Sequence, residues 1–153
     1  MRSTWRSAAA ALSMAVATSA AFADVTIESP WIRGVVAGQS ATGAFMRIRS
    51  TEAIELVRVA SPAASEASVH RTAMVDGMMT MAPVDALAVP AGGSVALEPG
   101  GYHVMLVGLR TPLRPGAKVP LTFTFRGADR RERSVTVQAE VRDLTGAPSG
   151  TGH

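Results

Sequence analysis

Val69-His70-Arg71-Thr72-Ala73-Met74, then Val75-Asp76-Gly77, then Met78-Met79-Thr80-Met81-Ala82 is the stretch from which the rest of the chain can be read. Two short runs flank Asp-Gly, a pair whose residues tolerate the positive φ angles of a tight hairpin turn. The stretch therefore predicts an antiparallel hairpin. Side chains alternate faces along a strand, so the register decides which of them meet. With Asp76-Gly77 as a two-residue turn, Thr72 pairs with Met81. With Val75-Asp76 as the turn, His70 pairs with Met81 directly. The two registers differ by an even slip, so in both of them His70, Met74, Met79 and Met81 share one face and Met78 takes the other. A three-residue loop would be an odd slip and would separate them.

The pattern continues outward from this hairpin. Residues 44–48, 54–59, 94–97, 102–106, 119–125 and 134–141 read as further strands, the last two alternating clearly. Ala91-Gly92-Gly93 and Pro99-Gly100-Gly101 are turns. No run has a helical period of useful length. Short strands separated by regular turns indicate an all-β sandwich or barrel, and no internal repeat is visible. Arg126, Arg130, Arg131 and Arg133 cluster, but Asp129 and Glu132 are mixed among them, which reads as a solvated hairpin end.

The first 23 residues carry a different signal. Arg2 and Arg6 precede a small-residue apolar stretch, 8–17, and Ala21-Phe22-Ala23 supplies an A-x-A cleavage site. This predicts a cleaved secretory signal peptide, with Asp24 as the new N-terminus. A membrane anchor fits less well, because the stretch is rich in alanine and no stop-transfer pattern follows. Of the 15 basic residues, removal of Arg2 and Arg6 leaves 13 against 12 acidic ones. The remaining chain is near neutral and has no basic stripe, so neither a nucleic-acid partner nor a membrane span is expected. Residues 24–153, 130 in all, suit one domain over 24–144 with a frayed Gly/Pro/Ser/Thr-rich tail over 145–153. The chain contains no cysteine, so it has neither a disulfide nor a thiolate ligand.

Four residues form the candidate site: His70, Met81, His103 and Met105, spaced H-x10-M-x21-H-x-M. His103 and Met105 are two apart and share a strand face. Set beside His70 and Met81, they would make an N₂S₂ centre. Thioether sulfur is a soft donor that favours Cu(I), and imidazole suits several transition metals. Hard cations prefer oxygen and gain nothing from methionine. Bland readings stand beside this one. Methionine fills irregular cores, and a histidine in a β protein is often only hydrogen-bonded. Four methionines between 74 and 81 exceed the needs of gap-filling. No nucleophile–base constellation accompanies the histidines, so an enzyme is not expected.

The ligand spacing resembles the signature of the periplasmic copper chaperone PCuAC family. Further blocks are similar as well: Pro30-Trp31-Ile32-Arg33, Gly43-Ala44-Phe45-Met46, Val89-Pro90-Ala91-Gly92-Gly93, Leu97-Glu98-Pro99-Gly100-Gly101-Tyr102-His103-Val104-Met105-Leu106 and Val119-Pro120-Leu121-Thr122-Phe123-Thr124-Phe125. The resemblance implies a cupredoxin-like Greek-key β-sandwich in a single domain. It implies Cu(I) held by His70, Met81, His103 and Met105 near solvent. It also implies a periplasmic role, carrying copper to a cytochrome oxidase subunit or its assembly factor, and we expect a monomer. Sequestration without a dedicated recipient is the alternative role. Two departures from the family pattern stand out. Ser50 replaces a frequent asparagine at a strand end. Arg71 follows His70 where an acidic residue is common, which would place positive charge beside the cation. The tail offers only His153, so a second site there is not expected.

Overall fold

A computed structural model describes residues 24–143; the expected leader, 1–23, and the expected tail, 145–153, lie outside the described residues. The described residues form ten strands: β1 (Val25–Arg33), β2 (Ala41–Ser50), β3 (Ile54–Ala60), β4 (Ala64–Val75), β5 (Met78–Pro83), β6 (Leu87–Val89), β7 (Gly93–Leu97), β8 (Tyr102–Leu109), β9 (Lys118–Gly127) and β10 (Glu132–Arg142). Hydrogen bonding joins them in the order β5-β4-β8-β7-β2-β1-β10-β9-β3-β6, with β8 also pairing directly to β2. No helix occurs among the described residues, and hence none long and apolar enough to cross a membrane.

This continuous sheet bends back on itself. β3 packs against β4, and β6 packs against β7 and β2, although these strands are distant in the hydrogen-bonded order. The result is a sandwich with the apolar core between its layers. Alternation in the sequence builds that core. On β9, Val119, Leu121, Phe123 and Phe125 are buried within it. The intervening threonines lie on the opposite face of the strand, Thr124 itself buried, and bond to β10, Thr122 to Thr136 at 2.9 Å and Thr124 to Ser134 at 3.1 Å.

Two strands were not evident from the sequence. β1 is interrupted at Ser29-Pro30, where Ser29 has φ 49° and the register to β2 shifts between Glu28 and Trp31. Such a bulge inserts an extra residue and breaks the two-residue period. β6 is only three residues long, too short for any period to show. The arginine-rich segment is the β9–β10 hairpin end, as expected. Arg131 pairs with Asp129 at 3.7 Å and Arg126 with Glu55 at 2.9 Å, all well exposed and so of small energetic weight.

Ser50 ends β2 and is buried. Its hydroxyl donates to the Glu52 carbonyl at 2.6 Å and accepts from the Glu52 amide at 3.3 Å. Serine thus closes the turn locally, as short polar side chains commonly do.

Phe123 is fully buried at the centre of this core. Its replacement by alanine removes that packing and leaves a cavity, and is expected to cost about 3–5 kcal/mol. The shift in the urea unfolding midpoint, at unchanged slope, measures this.

Candidate metal centre

β4 lies between β5 and β8, and its two registers build the site. On one side Thr72 faces Met81 and Met74 faces Met79. The turn is therefore Asp76-Gly77, with φ of 50° and 76° at its two residues, as a tight hairpin turn of the mirror-image kind requires. On the other side His70 faces His103 and Ser68 faces Met105. All these offsets are even, so His70, Met81, His103 and Met105 lie on one face of the sheet. Their neighbours Val69, Val104 and Leu106 point the other way, into the core. The face that carries the four candidate residues is consequently the outer face of the sandwich.

The two imidazoles form its centre. Their ring centroids are 6.0 Å apart and the rings are inclined by only 22°. His103 Nδ1 lies 3.4 Å from the Gly101 carbonyl, which can only accept, so Nδ1 carries the proton. The bare lone pair is then on Nε2. That atom is buried and has no hydrogen-bond partner. An unpaired buried nitrogen is costly, and a lone pair fixed by a bond at the other ring nitrogen is what a metal takes. His70 Nδ1 lies 3.5 Å from the Ser68 hydroxyl. Among the described residues no third His, Cys, Asp or Glu groups with these histidines. The thioethers of Met81 and Met105 share their face, as do those of Met74 and Met79.

An aromatic wall buries His103 to 5% exposure. Gly43 lies across from Met105, and a Cβ there would stand 3.0 Å from Phe45 Cζ. Glycine thus leaves room for the Phe45 ring beside the site, with its centroid 6.4 Å from that of His103. Phe45 is buried yet takes no part in the core cluster. Trp31 packs on it at 4.6 Å, and the Arg33 guanidinium lies 5.4 Å from its centroid. In the sequence these residues stand out only as blocks of resemblance, with no role attached. Their signal was the two-residue spacing in Trp31-Ile32-Arg33 and Gly43-Ala44-Phe45, which puts each pair on one strand face.

This environment holds the His103 pKa below the usual histidine value. Burial is the main cause, and the charges of His70 and Arg33 add to it; the Gly101 hydrogen bond works against them. The neutral, ligating form is therefore favoured.

Met81 is the outlying member. On β5 it faces Thr72, displaced toward the hairpin tip, whereas Met105 faces Ser68 in the opposite direction. Two strand spacings and four residues of rise would separate the two methionine Cα atoms by roughly 16 Å on a flat sheet. Joining all four ligands on one ion therefore requires the arm beyond His70 to curl over the outer face. From 73 to 80 that arm pairs only with itself among the described strands. Arg71 corrects an expectation. It alternates with His70 to the opposite face, where its guanidinium covers Tyr102 at 5.6 Å, so its charge is not beside the ligands.

Comparison with known proteins places the chain and its fold. The sequence profile of the family described as "Putative lipoprotein LpqE-like" matches residues 25–141. A curated relative, "Putative lipoprotein Lxx21020" of Leifsonia xyli subsp. xyli (strain CTCB07), is 32% identical over 126 residues, covering 80% of this chain and 72% of its own. The copper-bound PCuAC domain of PmoF2 is 25% identical with a TM-score of 0.61, over 78% of this chain and 92% of that one. The Cu(I) form of DR1885 from Deinococcus radiodurans is 33% identical with a TM-score of 0.58, over 77% of this chain and 78% of that one. The fold class is that of these domains, a cupredoxin-like β-sandwich.

The buried imidazole has a consequence for the metal-free protein. Unfolded, His103 takes up a proton near pH 6.5; folded, it resists. The unfolded chain thus binds more protons in that range, and stability falls as pH drops from above 6.5 through the depressed folded value. Urea unfolding at pH 7.5 and pH 5.5 should give a lower midpoint at 5.5, and His103→Gln should shrink the difference.

Proposed function

The chain belongs to the LpqE-like family, and on that premise we propose that it is a copper carrier rather than an enzyme. In this reading it binds Cu(I) through His70, Met81, His103 and Met105 and hands it to an acceptor protein outside the cytoplasm. The observation that carries the proposal is the buried, unpartnered Nε2 of His103, facing His70 on the same strand face as Met105. The similar copper-bound domains support it, DR1885 in the Cu(I) state among them.

The donor set favours the lower oxidation state. Imidazole and thioether are neutral, and thioether prefers the soft Cu(I) ion. The Arg33 guanidinium disfavours positive charge at His103, and it penalises a divalent ion about twice as strongly as a monovalent one. Transfer follows from the uneven exposure of the ligands. Met81, at 55%, is open to an incoming acceptor, while His103 sits under the aromatic wall. An acceptor's ligands can replace Met81 before the imidazoles release, so the ion is never free. The protein acts as a monomer in the periplasm, and its recipient is a cytochrome oxidase subunit or its assembly factor. The lipoprotein description of the family supports export. Sequestration without a recipient is the second reading, favoured by the further exposed thioethers Met74, Met78 and Met79. Transfer of Cu(I) to a purified acceptor domain separates the two readings.

Substituting Met105 by isoleucine removes the sulfur at similar volume. Competition titration under reducing conditions should record a loss of Cu(I) affinity of at least about tenfold, or ~1.4 kcal/mol. Unchanged affinity would exclude Met105 as a ligand. Because the ligands lie outside the core, the metal-free and loaded forms should give the same far-UV dichroism, with the loaded form melting higher.

A further inference from the structure

The arm that carries Met81 holds more sulfur than the proposed centre uses. Met74 and Met79 are direct cross-strand partners. They sit one pair in from the turn-flanking pair Val75 and Met78. In a two-residue hairpin the turn-flanking pair exchanges hydrogen bonds, so the next pair is the close kind, with side chains nearest one another. Met81 follows Met79 by two residues on the same face and lies diagonally across from Met74. Exposures of 67% for Met74 and 66% for Met79 leave both sulfurs accessible. Three unbranched thioethers thus converge on one face of a free-standing ribbon, in a more compact set than the four ligands at the sheet.

An apolar docking rim would account for the exposure alone, but leucine or isoleucine would serve that purpose equally. Both faces of the arm are apolar, through Val75 and Met78 on one side and Met74, Met79 and Met81 on the other. Only the ligand face presents a paired set of sulfurs next to a proposed soft-metal ligand.

We propose that Met74 and Met79 form a second, weaker site for a soft monovalent cation, Cu(I), with Met81 as a third donor whenever it is not engaged at the histidines. Two thioethers suffice for a d¹⁰ ion that has no strong geometric demand, and the absence of imidazole and of burial makes this site the weaker one. Met81 is then common to both sites, so an ion on the arm is already bound to one ligand of the centre. The inference rests on the carrier reading for its biological meaning, but its donors are separate and can be tested separately.

The test uses the whole exported chain with ¹³C-labelled methionine methyls, titrated with Ag(I), a redox-stable soft monovalent ion. The first equivalent should shift the methyls of Met81 and Met105, and the second should shift those of Met74 and Met79. The double variant Met74→Leu/Met79→Leu keeps volume and apolarity at two exposed positions. It should take one equivalent with unchanged affinity and lose the second by at least about tenfold. Silent Met74 and Met79 methyls through two equivalents, or a second equivalent retained by the double variant, would overturn the arm site. Failure of the carrier reading looks different: Met105→Ile would leave the first equivalent untouched, whatever the second one does.

Discussion

The pairing of His70 with His103 across β4 and β8 is the constraint on which the rest of the outer face depends. A strand has only two faces, so this one pairing, with its even offsets, sends Val69, Val104 and Leu106 into the core and the donor atoms away from it. A slip of one residue would bury both imidazoles among aliphatic side chains and expose the core residues. Core packing and the placement of the outer-face histidines and methionines are therefore selected together. The hydrophobic burial that stabilises the sandwich also fixes which side chains meet outside it, and no additional interaction is needed to hold the register.

Much of this was legible in the sequence because it is local. The hairpin followed from Asp76-Gly77, and the shared face of His70, Met74, Met79 and Met81 followed from parity within it. The alternation over 119–125 gave both the inward Phe123 and the threonines of the opposite face that bond to β10. Non-local features were hidden. Nothing near His103 in the sequence indicates that Phe45 would cover it, since that contact depends on β2 pairing with β8 and on Gly43 leaving space for the ring. β1 was lost because the kink at Ser29-Pro30 shifts its phase, and β6 because three residues carry no period. Arg71 was read as a neighbour of the ligands because it adjoins His70 in sequence. In a strand, adjacency means the opposite face.

The aromatic wall and the arm make the site asymmetric. On one side, Phe45 lies beside His103 and is itself covered by Trp31 and Arg33. On the other, a two-stranded ribbon leaves the sandwich with its side chains in solvent. Side chains on strands held along both flanks keep a fixed setting, whereas those on an edge ribbon stand open to solvent. The division follows the topology: β8 and β2 are interior strands, held on both sides, while β5 is an edge strand that pairs only with β4.

The openness of the arm also exposes it to oxidation. Thioethers accessible to solvent are converted to sulfoxides, in which the atom offered to a metal is a hard oxygen rather than a soft sulfur. Met74, Met78, Met79 and Met81 are all exposed, while Met105 is partly sheltered between Gly43 and Ser68. An oxidising environment would therefore act first on the arm, turning its apolar surface polar while the imidazole pair stays intact. The reach of the arm into solvent thus gives the surface a redox-sensitive chemistry of its own, although the chain has no cysteine to oxidise.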